Sequence, residues 1–332
     1  MRKLVLLLPV LFLFACNNGS KNTQIDNDID QSLRDEIAVL DQQIVDALAN
    51  NDVSKIKNMM ADELLAKSGD SIEIILEQVS SYVTDNQYDI INQFHTTGND
   101  LAEKIVLKSG ADSTKDYSLV FTINNEEAFV SLLKLSIGYN EILVSTVYGK
   151  QSDGWKINII HFGLFTIHGK TANDYYASAQ QKYEEGFLMD AFMEMMVCMD
   201  IIYPAGEIFL YHNERKMNKL IFQIMDDIEE QMSFPLPINE IQGKPQIVSV
   251  YPQTIDEGIF PMIDYYTTTS IDDTLSLMTE NDAIHAAMEK YIPGITLDKK
   301  YVFYRAYNDM PDGVTDLPFY GLVQEAKETE AP

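Results

Sequence analysis

Basic residues are scarce in this chain of 332 residues. Its 24 lysines and arginines stand against 51 aspartates and glutamates, which leaves a net charge of −27. A surface this acidic repels phosphate backbones and anionic headgroups, so we expect no nucleic-acid partner and no contact between the folded surface and lipid. Apolar residues make up 46% of the chain, which is enough to build hydrophobic cores.

The chain also lacks the sequence motifs of common enzyme classes. No GxSxG, no Walker-type phosphate loop and no GxGxxG occurs in it. None of its five histidines has another histidine two or four residues away, and no HExxH-type pattern is present. Both facts argue against a zinc site, because zinc ligands recur at such spacings. We therefore predict no metal ion and no cofactor.

The N-terminal apolar run is too short to cross a membrane. Residues 4–14 are apolar, and a helix of eleven residues is about 16 Å long, against about 30 Å for a hydrocarbon core. Arg2 and Lys3 precede the run and supply the positive start of a signal peptide. The pattern therefore predicts an exported protein.

The apolar run ends in Leu13, Phe14, Ala15 and Cys16, and these residues resemble the lipobox of bacterial lipoproteins. The leucine and the small residue match the motif, whereas Phe14 is bulkier than usual. The resemblance implies a signal peptide at residues 1–15, a diacylglyceryl group on the Cys16 thiol, and acylation of the new amine after cleavage. The alternative is an ordinary secretory signal followed by a chance cysteine.

Asn17 and Asn18 follow Cys16, so the aspartate that often retains lipoproteins in the inner membrane is absent. The resemblance therefore implies a cell-envelope protein held at the outer membrane by fatty acyl chains, such as palmitate, on Cys16. Two or more chains anchor a protein stably. Once Cys16 is acylated, Cys198 is the only thiol left, so no intrachain disulfide can form. The polar residues 16–30 are predicted to be a flexible tether.

Hydrophobic periodicity predicts that residues 31–168 form an α+β domain. Apolar residues recur at helical spacing over residues 31–49, and two shorter helices are predicted to follow. Six strand-like runs then lie between residues 88 and 162, and their short connections force antiparallel neighbours. The predicted fold is a set of N-terminal helices on a curled antiparallel sheet.

This layout resembles the nuclear transport factor-like, or cystatin-like, α+β cone. Residues 48–56 are similar to the opening helices of that family, and residues 148–157, which include Gly154 and Trp155, are similar to its last hairpin. The fold hosts enzymes, binding modules and scaffolds, so the resemblance does not select a function.

A helical block is predicted at residues 169–233. The spacing of Tyr175, Ala179, Gly186 and Ala191 resembles that of a tetratricopeptide-type helical hairpin. Only one repeat is visible, whereas about three are needed for an independent solenoid. We therefore expect the block to pack on its neighbours as a spacer.

The C-terminal part begins at a proline-rich break. Pro235 and Pro237 bar both a helix and a central strand, so a domain boundary is predicted there. Residues 234–325 then show the pattern of two strands, a helix and two strands, which predicts a small ββαββ domain. Residues 326–332 are predicted to be a frayed tail.

His161 and Tyr148 are the two candidates for catalysis. His161 could act as a general base at the mouth of the cone with Tyr148 beside it, as polar groups do in enzymes of that resemblance. A structural histidine is the alternative. His161 and His168 are seven residues apart, so in a regular strand they point to opposite faces and cannot form a metal pair.

Two further groups each allow a functional and a structural interpretation. Met189, Met193, Met195 and Cys198 crowd one segment, and soft sulfur ligands suit Cu(I), but a segment that is apolar all round is typical of a buried helix. Four residues share one face of a C-terminal strand, which indicates either a protein- or glycan-binding surface or a face covered by the helix predicted at residues 280–291. These are Tyr301, Phe303, Arg305 and Tyr307.

The sequence therefore predicts a lipid-anchored envelope lipoprotein with no catalytic motif. Its expected role is a non-enzymatic binding or assembly module for a protein, a peptide or a small ligand. The alternatives are an enzyme with its pocket near His161 and Tyr148, and a purely structural assembly factor.

Overall fold

The computed structural model describes residues 22–100, 102–110 and 116–326. The predicted signal peptide, Cys16 and residues 327–332 lie outside the described residues. Within the described ranges, no helix combines the length and the apolar character that a membrane crossing requires. Helices and antiparallel sheets both make up much of the protein, which confirms the α+β fold class.

One strand and four helices open the described chain, and strands then follow one another up to residue 167. The elements of this N-terminal part are β1 Asn22–Ile25, α1 Gln31–Ala49, α2 Val53–Met59, α3 Asp62–Ser68, α4 Ser71–Ser80, β2 Asp89–Thr97, β3 Glu103–Lys108, β4 Tyr117–Ile123, β5 Glu127–Ile137, β6 Asn140–Gln151 and β7 Gly154–Ile167.

The helical block and the C-terminal domain follow. Their elements are α5 Ala172–Glu184, α6 Leu188–Asp200, β8 Phe209–Tyr211, α7 Glu214–Gln231, β9 Leu236–Pro237, β10 Gln246–Ile255, β11 Gly258–Tyr266, α8 Thr274–Tyr291, β12 Tyr301–Tyr307 and β13 Phe319–Glu325.

A five-stranded antiparallel sheet, in the order β1-β2-β5-β6-β7, forms the centre of the N-terminal part. Side chains alternate between its faces. Phe129 and Tyr148 pack with the N-terminal helices, whereas their neighbours Val130 and Val147 pack in a second core with α5, α6 and α7. Both faces are therefore buried, which explains why β5 and β6 are apolar over most of their length.

The cap and the apolar stripe of α1 explain why the N-terminal helices pack on this sheet. The Asp30 carboxylate accepts a hydrogen bond from the Ser32 amide at 2.8 Å and caps the helix. Ile37, Ile44 and Leu48 lie on one helix face and are fully buried. Burying each such side chain stabilises the fold by about 1.5–3 kcal/mol. The bounds predicted for this helix are confirmed.

The tether predicted at residues 16–30 ends earlier than expected. Residues 22–25 form β1 and pair antiparallel with β2. The Asp26 carboxylate then accepts a hydrogen bond from the Gln93 amide at 2.7 Å, and Ile29 is buried in the core beneath α1. The partner strand is distant in sequence, so the polar composition of the segment could not reveal the pairing.

The strands predicted between residues 88 and 162 are divided between two sheets. β3 and β4 form a separate three-stranded sheet with β8, in the order β3-β4-β8. The buried face of β4 carries Tyr117, Leu119 and Phe121, which pack in the core shared with α5, α6 and α7. β8 has three residues and α3 has seven, and segments this short give no periodicity from which to predict them.

The helical block contains the predicted helical hairpin. Thr171 and Asp174 form a capping box at the start of α5. Gly186 makes the turn into α6 with a φ of +85°, a left-handed conformation that favours glycine. Helices α5, α6 and α7 then pack against the main sheet, as the predicted spacer would.

The methionines of α6 are divided between two cores. Met189 and Met193 pack into the C-terminal core, whereas Met195 and Cys198 pack into the central core. These side chains therefore do not converge on one copper site, and the interpretation as a buried helix is confirmed. Cys198 is fully buried and its thiol donates to the Ala172 carbonyl at 3.2 Å. Burial raises the pKa of this thiol to about 12, so it is unreactive.

The C-terminal part is the predicted ββαββ domain with one added strand, β9. Its sheet runs in the order β13-β12-β11-β10-β9, and α8 connects the parallel pair β11 and β12. Helix α8 packs on the face that carries Val302, Tyr304 and Ala306. Tyr301 and Phe303 lie on the opposite face, so α8 does not cover the aromatic face of β12.

Candidate functional site

Tyr148 and His161, the two catalytic candidates, lie on opposite faces of the main sheet. In the register of β6 and β7, Tyr148 pairs with Ile157, whereas His161 pairs with Ser145. Tyr148 and Ser145 are three residues apart on one strand, so their side chains point to opposite faces. The structure therefore does not bring the two candidates into one site.

Tyr148 belongs to a closed polar cluster beneath α1, which we call the Asp41 cluster. The Tyr148 hydroxyl donates to Asp41 Oδ1 at 2.7 Å, and the Ser131 hydroxyl donates to Asp41 Oδ2 at 2.8 Å. All three residues are fully buried. Burial raises the pKa of the Asp41 carboxyl to about 6, although both hydrogen bonds act to lower it. Each carboxylate oxygen has a partner, so this cluster is a satisfied part of the core.

His161 lines a cavity of about 680 Å³ between α3, β4 and β7. Burial, together with the nearby charge of Lys67, lowers the pKa of its imidazole and favours the neutral ring. The ring packs closely on Gly206, where an added Cβ would lie 3.3 Å from it. Among the described residues, no carboxylate is hydrogen-bonded to this ring, so no carboxylate orients His161 as a general base.

A second pocket, of about 180 Å³, lies between the helical block and the C-terminal domain. We call it the α6 pocket. Helix α6 forms one wall, and the turn before α5, the hairpin between β10 and β11, and the residue Lys299 form the others. Its polar lining is His168, Lys170, Tyr175, Asp190, Glu194 and Lys299, and its apolar lining is Met193, Val197, Ile259, Phe260 and Pro261, with Gly258 at the hairpin.

Asp190 is the most buried charged group of this pocket, with 3% of its surface exposed. Its Oδ2 accepts a hydrogen bond from Lys299 Nζ at 2.6 Å. Its Oδ1 is buried and has no hydrogen-bond partner among the described residues. Burial raises the pKa of the carboxyl, and Lys299 opposes that shift without cancelling it.

Glu194 lies one helical turn after Asp190, so the two carboxylates share one face of α6. Glu194 accepts a hydrogen bond from the Ser178 side chain. Its Oε2 atom is buried and has no partner in the described part of the chain. Burial raises the pKa of this carboxyl as well, while Lys170 acts in the opposite direction.

His168 supplies the third unpaired polar atom of the pocket. It lies in the turn after β7 with a φ of +48°, a conformation that is uncommon for residues other than glycine. Its ring stacks on Tyr139, with the centroids 4.6 Å apart and the planes 6° from parallel. Its Nε2 is buried and without a partner among the described residues. The turn and the stacking thus hold the imidazole at the pocket wall.

The α6 pocket therefore combines unpaired acceptors with lysine donors. Buried polar atoms in proteins are nearly all hydrogen-bonded, so three unpaired atoms at one pocket call for an explanation. The Tyr175 hydroxyl is already committed, because it donates to the Ile167 carbonyl at 2.8 Å. The one cysteine of the described chain is buried elsewhere. The buried acceptors and the lysines can form hydrogen bonds with a polar molecule.

The pocket was not predicted from the sequence, although a signal was present. Asp190 and Glu194 are charged residues one turn apart in a segment that is otherwise mostly apolar. A buried helix carries such a pair only when the charges have partners or a function. The two lysines and the histidine of the other walls come from other segments, so their approach could not be predicted locally.

No group of three or more metal-ligating side chains occurs among residues 22–100, 102–110 and 116–326. In comparisons with known proteins, no family model, no curated protein and no solved structure matches this chain.

Proposed function

We propose that this protein is a lipid-anchored lipoprotein of the cell envelope that binds a small ligand in the α6 pocket without converting it. The observation that carries the binding role is the set of three buried polar atoms that lack partners at one cavity. They belong to His168, Asp190 and Glu194. In a core of this kind, each such atom costs about 1–3 kcal/mol when it remains unpaired. A ligand with matching groups would remove that cost.

The proposed anchor is supported by the resemblance of Leu13, Phe14, Ala15 and Cys16 to a lipobox. We place the protein at the outer membrane because Asn17 follows the cysteine. β1 begins at Asn22, so the connection from Cys16 to the first strand can span only about 20 Å at full extension. The folded part would therefore stay close to the membrane.

The enzymatic alternative placed its pocket near both His161 and Tyr148, which lie on opposite faces of the main sheet. Tyr148 is fully buried beneath α1, and His161 lies in a cavity on the other face of the sheet. Neither residue lines the α6 pocket. A binding role needs only the complementary groups that line the α6 pocket, so we favour it over catalysis.

Membrane fractionation of bacterial cells that produce the protein tests whether Cys16 anchors it to the membrane. We expect Cys16→Ser to move the protein from the membrane fraction to the soluble fraction, because the acyl chains are its proposed attachment. Cys198→Ser is the matched control and should leave the protein in the membrane fraction, since that thiol is buried in the core. A Cys16→Ser protein that still sediments with membranes would refute the anchor.

Thermal unfolding in the presence of small molecules tests the binding role. The probes are amino acids, monosaccharides, organic acids and amines, added one class at a time to the Cys16→Ser protein. We expect at least one class to raise the Tm, because a ligand stabilises the state that binds it. The shift should be lost in Glu194→Gln and kept in Glu207→Gln, whose side chain lines the His161 cavity instead. The absence of any such shift would contradict a small-ligand function.

A further inference from the structure

The charges of the α6 pocket restrict the chemistry of its ligand. Lys170 and Lys299 carry two positive charges, and Asp190 and Glu194 carry two negative charges when ionised. The four groups therefore sum to zero. A buried charge without a counter-charge is costly, so a ligand with a net charge would leave the pocket unbalanced. A ligand that carries one charge of each sign keeps the balance.

The unpaired atoms match a primary ammonium group. Such a group has three donors and no acceptor. Residues that line the pocket carry three buried acceptors without partners among the described residues, which are Asp190 Oδ1, Glu194 Oε2 and, in its Nδ1–H tautomer, His168 Nε2. Asp190 and Glu194 lie on one face of α6, where side chains four residues apart are neighbours. A single ammonium group can therefore reach both carboxylates.

The lysines match a carboxylate. Lys299 Nζ has three donors, and one of them is used for Asp190 Oδ2 at 2.6 Å. Lys170 lines the same pocket, with its Nζ 5.5 Å from the centre of the Tyr175 ring. Hydrogen bonds between charged groups are about twice as strong as neutral ones. An anionic group on the ligand can thus bind beside the lysines while its ammonium group faces α6.

The volume and the apolar lining limit the rest of the molecule. The α6 pocket has a volume of about 180 Å³. Drug-sized ligands need about 300–1,000 Å³, so the ligand here is smaller. Val197, Ile259 and Phe260 form apolar surface within the pocket. A short hydrocarbon side chain would pack against it.

We propose that the α6 pocket binds a free α-amino acid with an apolar side chain. This inference rests on the proposed function, because it names the ligand class of the same pocket. The ammonium group is bound by Asp190, Glu194 and His168, the carboxylate by Lys170 and Lys299, and the side chain by the apolar lining.

Isothermal titration calorimetry of the Cys16→Ser protein tests the ligand class with three probes. Leucine carries both charges, leucinamide keeps the ammonium group but not the carboxylate, and 4-methylpentanoate keeps the carboxylate but not the ammonium group. We expect leucine to bind at least about tenfold more tightly than either analogue, as the loss of one charge-assisted hydrogen bond would produce. Equal affinities for leucine and either analogue would show that the pocket does not require both charges of the ligand, and would overturn the proposal of an amino acid.

Two variants connect the affinity for leucine to the pocket. Glu194→Gln removes one acceptor charge and Lys170→Met removes one donor, and each should weaken leucine binding by about tenfold or more. Lys219→Met is the matched control, because Lys219 lies exposed on α7 and does not line the pocket. If leucine binds and these two variants leave its affinity unchanged, the leucine site lies elsewhere and the inference fails.

The outcomes separate this inference from the proposed function. Binding of another class in the thermal screen, with sensitivity to Glu194→Gln, would keep the small-ligand function and reject the amino acid. A failure of every class would reject both.

Discussion

The Asp41 cluster and the α6 pocket contain the same kind of group in different surroundings. Asp41 and Asp190 are both carboxylates buried on helices that carry otherwise apolar faces. Each oxygen of Asp41 accepts a hydrogen bond from a hydroxyl. Asp190 lines a cavity, and one of its oxygens is paired with Lys299, whereas the other has no partner among the described residues.

This difference separates a structural polar group from a binding group. A buried polar group that is fully paired stabilises one arrangement of the core. A buried polar group that remains unpaired beside a cavity costs free energy until a ligand pairs it. The cavity beside His161 is larger, but Asn158 is the only described residue lining it that has a buried polar atom without a partner, against three in the α6 pocket. The presence of a cavity is therefore less informative than the pairing of the atoms that line it.

The largest expected effect concerns the pH dependence of stability at Asp41. Its folded pKa of about 6 lies above the ordinary value of 3.8, so the stability that protonation supplies is full below about pH 4 and is lost as the pH rises through 6. A shift of about two units corresponds to about 3 kcal/mol. Asp41→Asn cannot ionise, so it does not lose stability in this way as the pH rises. From pH 4 to pH 8, the free energy of unfolding of the variant should therefore rise by about 3 kcal/mol relative to that of the unmodified protein.

Denaturant unfolding at both pH values measures this difference. Glu194→Gln is the comparison from the α6 pocket. Its free energy of unfolding should rise less over the same pH range, relative to the unmodified protein, because Glu194 is less buried than Asp41. Parallel pH profiles for Asp41→Asn and the unmodified protein would show that folding does not shift the pKa of Asp41.

A smaller effect is expected from single hydroxyls. Tyr148→Phe removes one hydrogen bond from the buried carboxylate and should lower the free energy of unfolding by about 2 kcal/mol at neutral pH. Tyr211→Phe is the matched control. Its hydroxyl is buried without a partner among the described residues, so we expect a change within about 0.5 kcal/mol. Equal losses of stability for the two variants would show that the hydrogen bond from Tyr148 to Asp41 contributes no more than an unpaired buried hydroxyl.

The smallest expected effect on stability belongs to the α6 pocket. Glu194→Gln keeps an oxygen acceptor for Ser178 and removes a charge that burial disfavours. We expect the free energy of unfolding to change by no more than about 0.5 kcal/mol, or to rise. Equilibrium unfolding without added ligand measures this change. A loss as large as that of Tyr148→Phe would assign Glu194 a structural role and remove the contrast between the two regions.

Much of the secondary structure could be predicted from the sequence because its causes are local. The cap at Asp30 and the apolar stripe of Ile37, Ile44 and Leu48 determine α1. The alternation of buried and more exposed positions determines β4, and Gly186 determines the turn between α5 and α6. The mostly apolar sequence of α6 predicted a buried helix, which the structure confirms.

The missed features depend on contacts between distant segments. The pairing of β1 with β2, and of β8 with β4, leaves little trace in short polar or short apolar segments. The placement of Tyr148 and His161 on opposite faces required the register of β6 and β7. Asp41 could have been recognised as an exception on an apolar helix face, but its partner Ser131 could not.

By itself, the sequence determined the lipobox prediction at Cys16, the acidic charge, the α+β class and the bounds of α1, because these depend on composition and on neighbours along the chain. Only the tertiary structure decided which polar groups are satisfied and which remain unpaired. Asp190 and Glu194 are one turn apart in sequence, yet His168, Lys170 and Lys299 reach them from other segments. A binding site of this kind forms only when tertiary packing brings together residues that are far apart in the sequence.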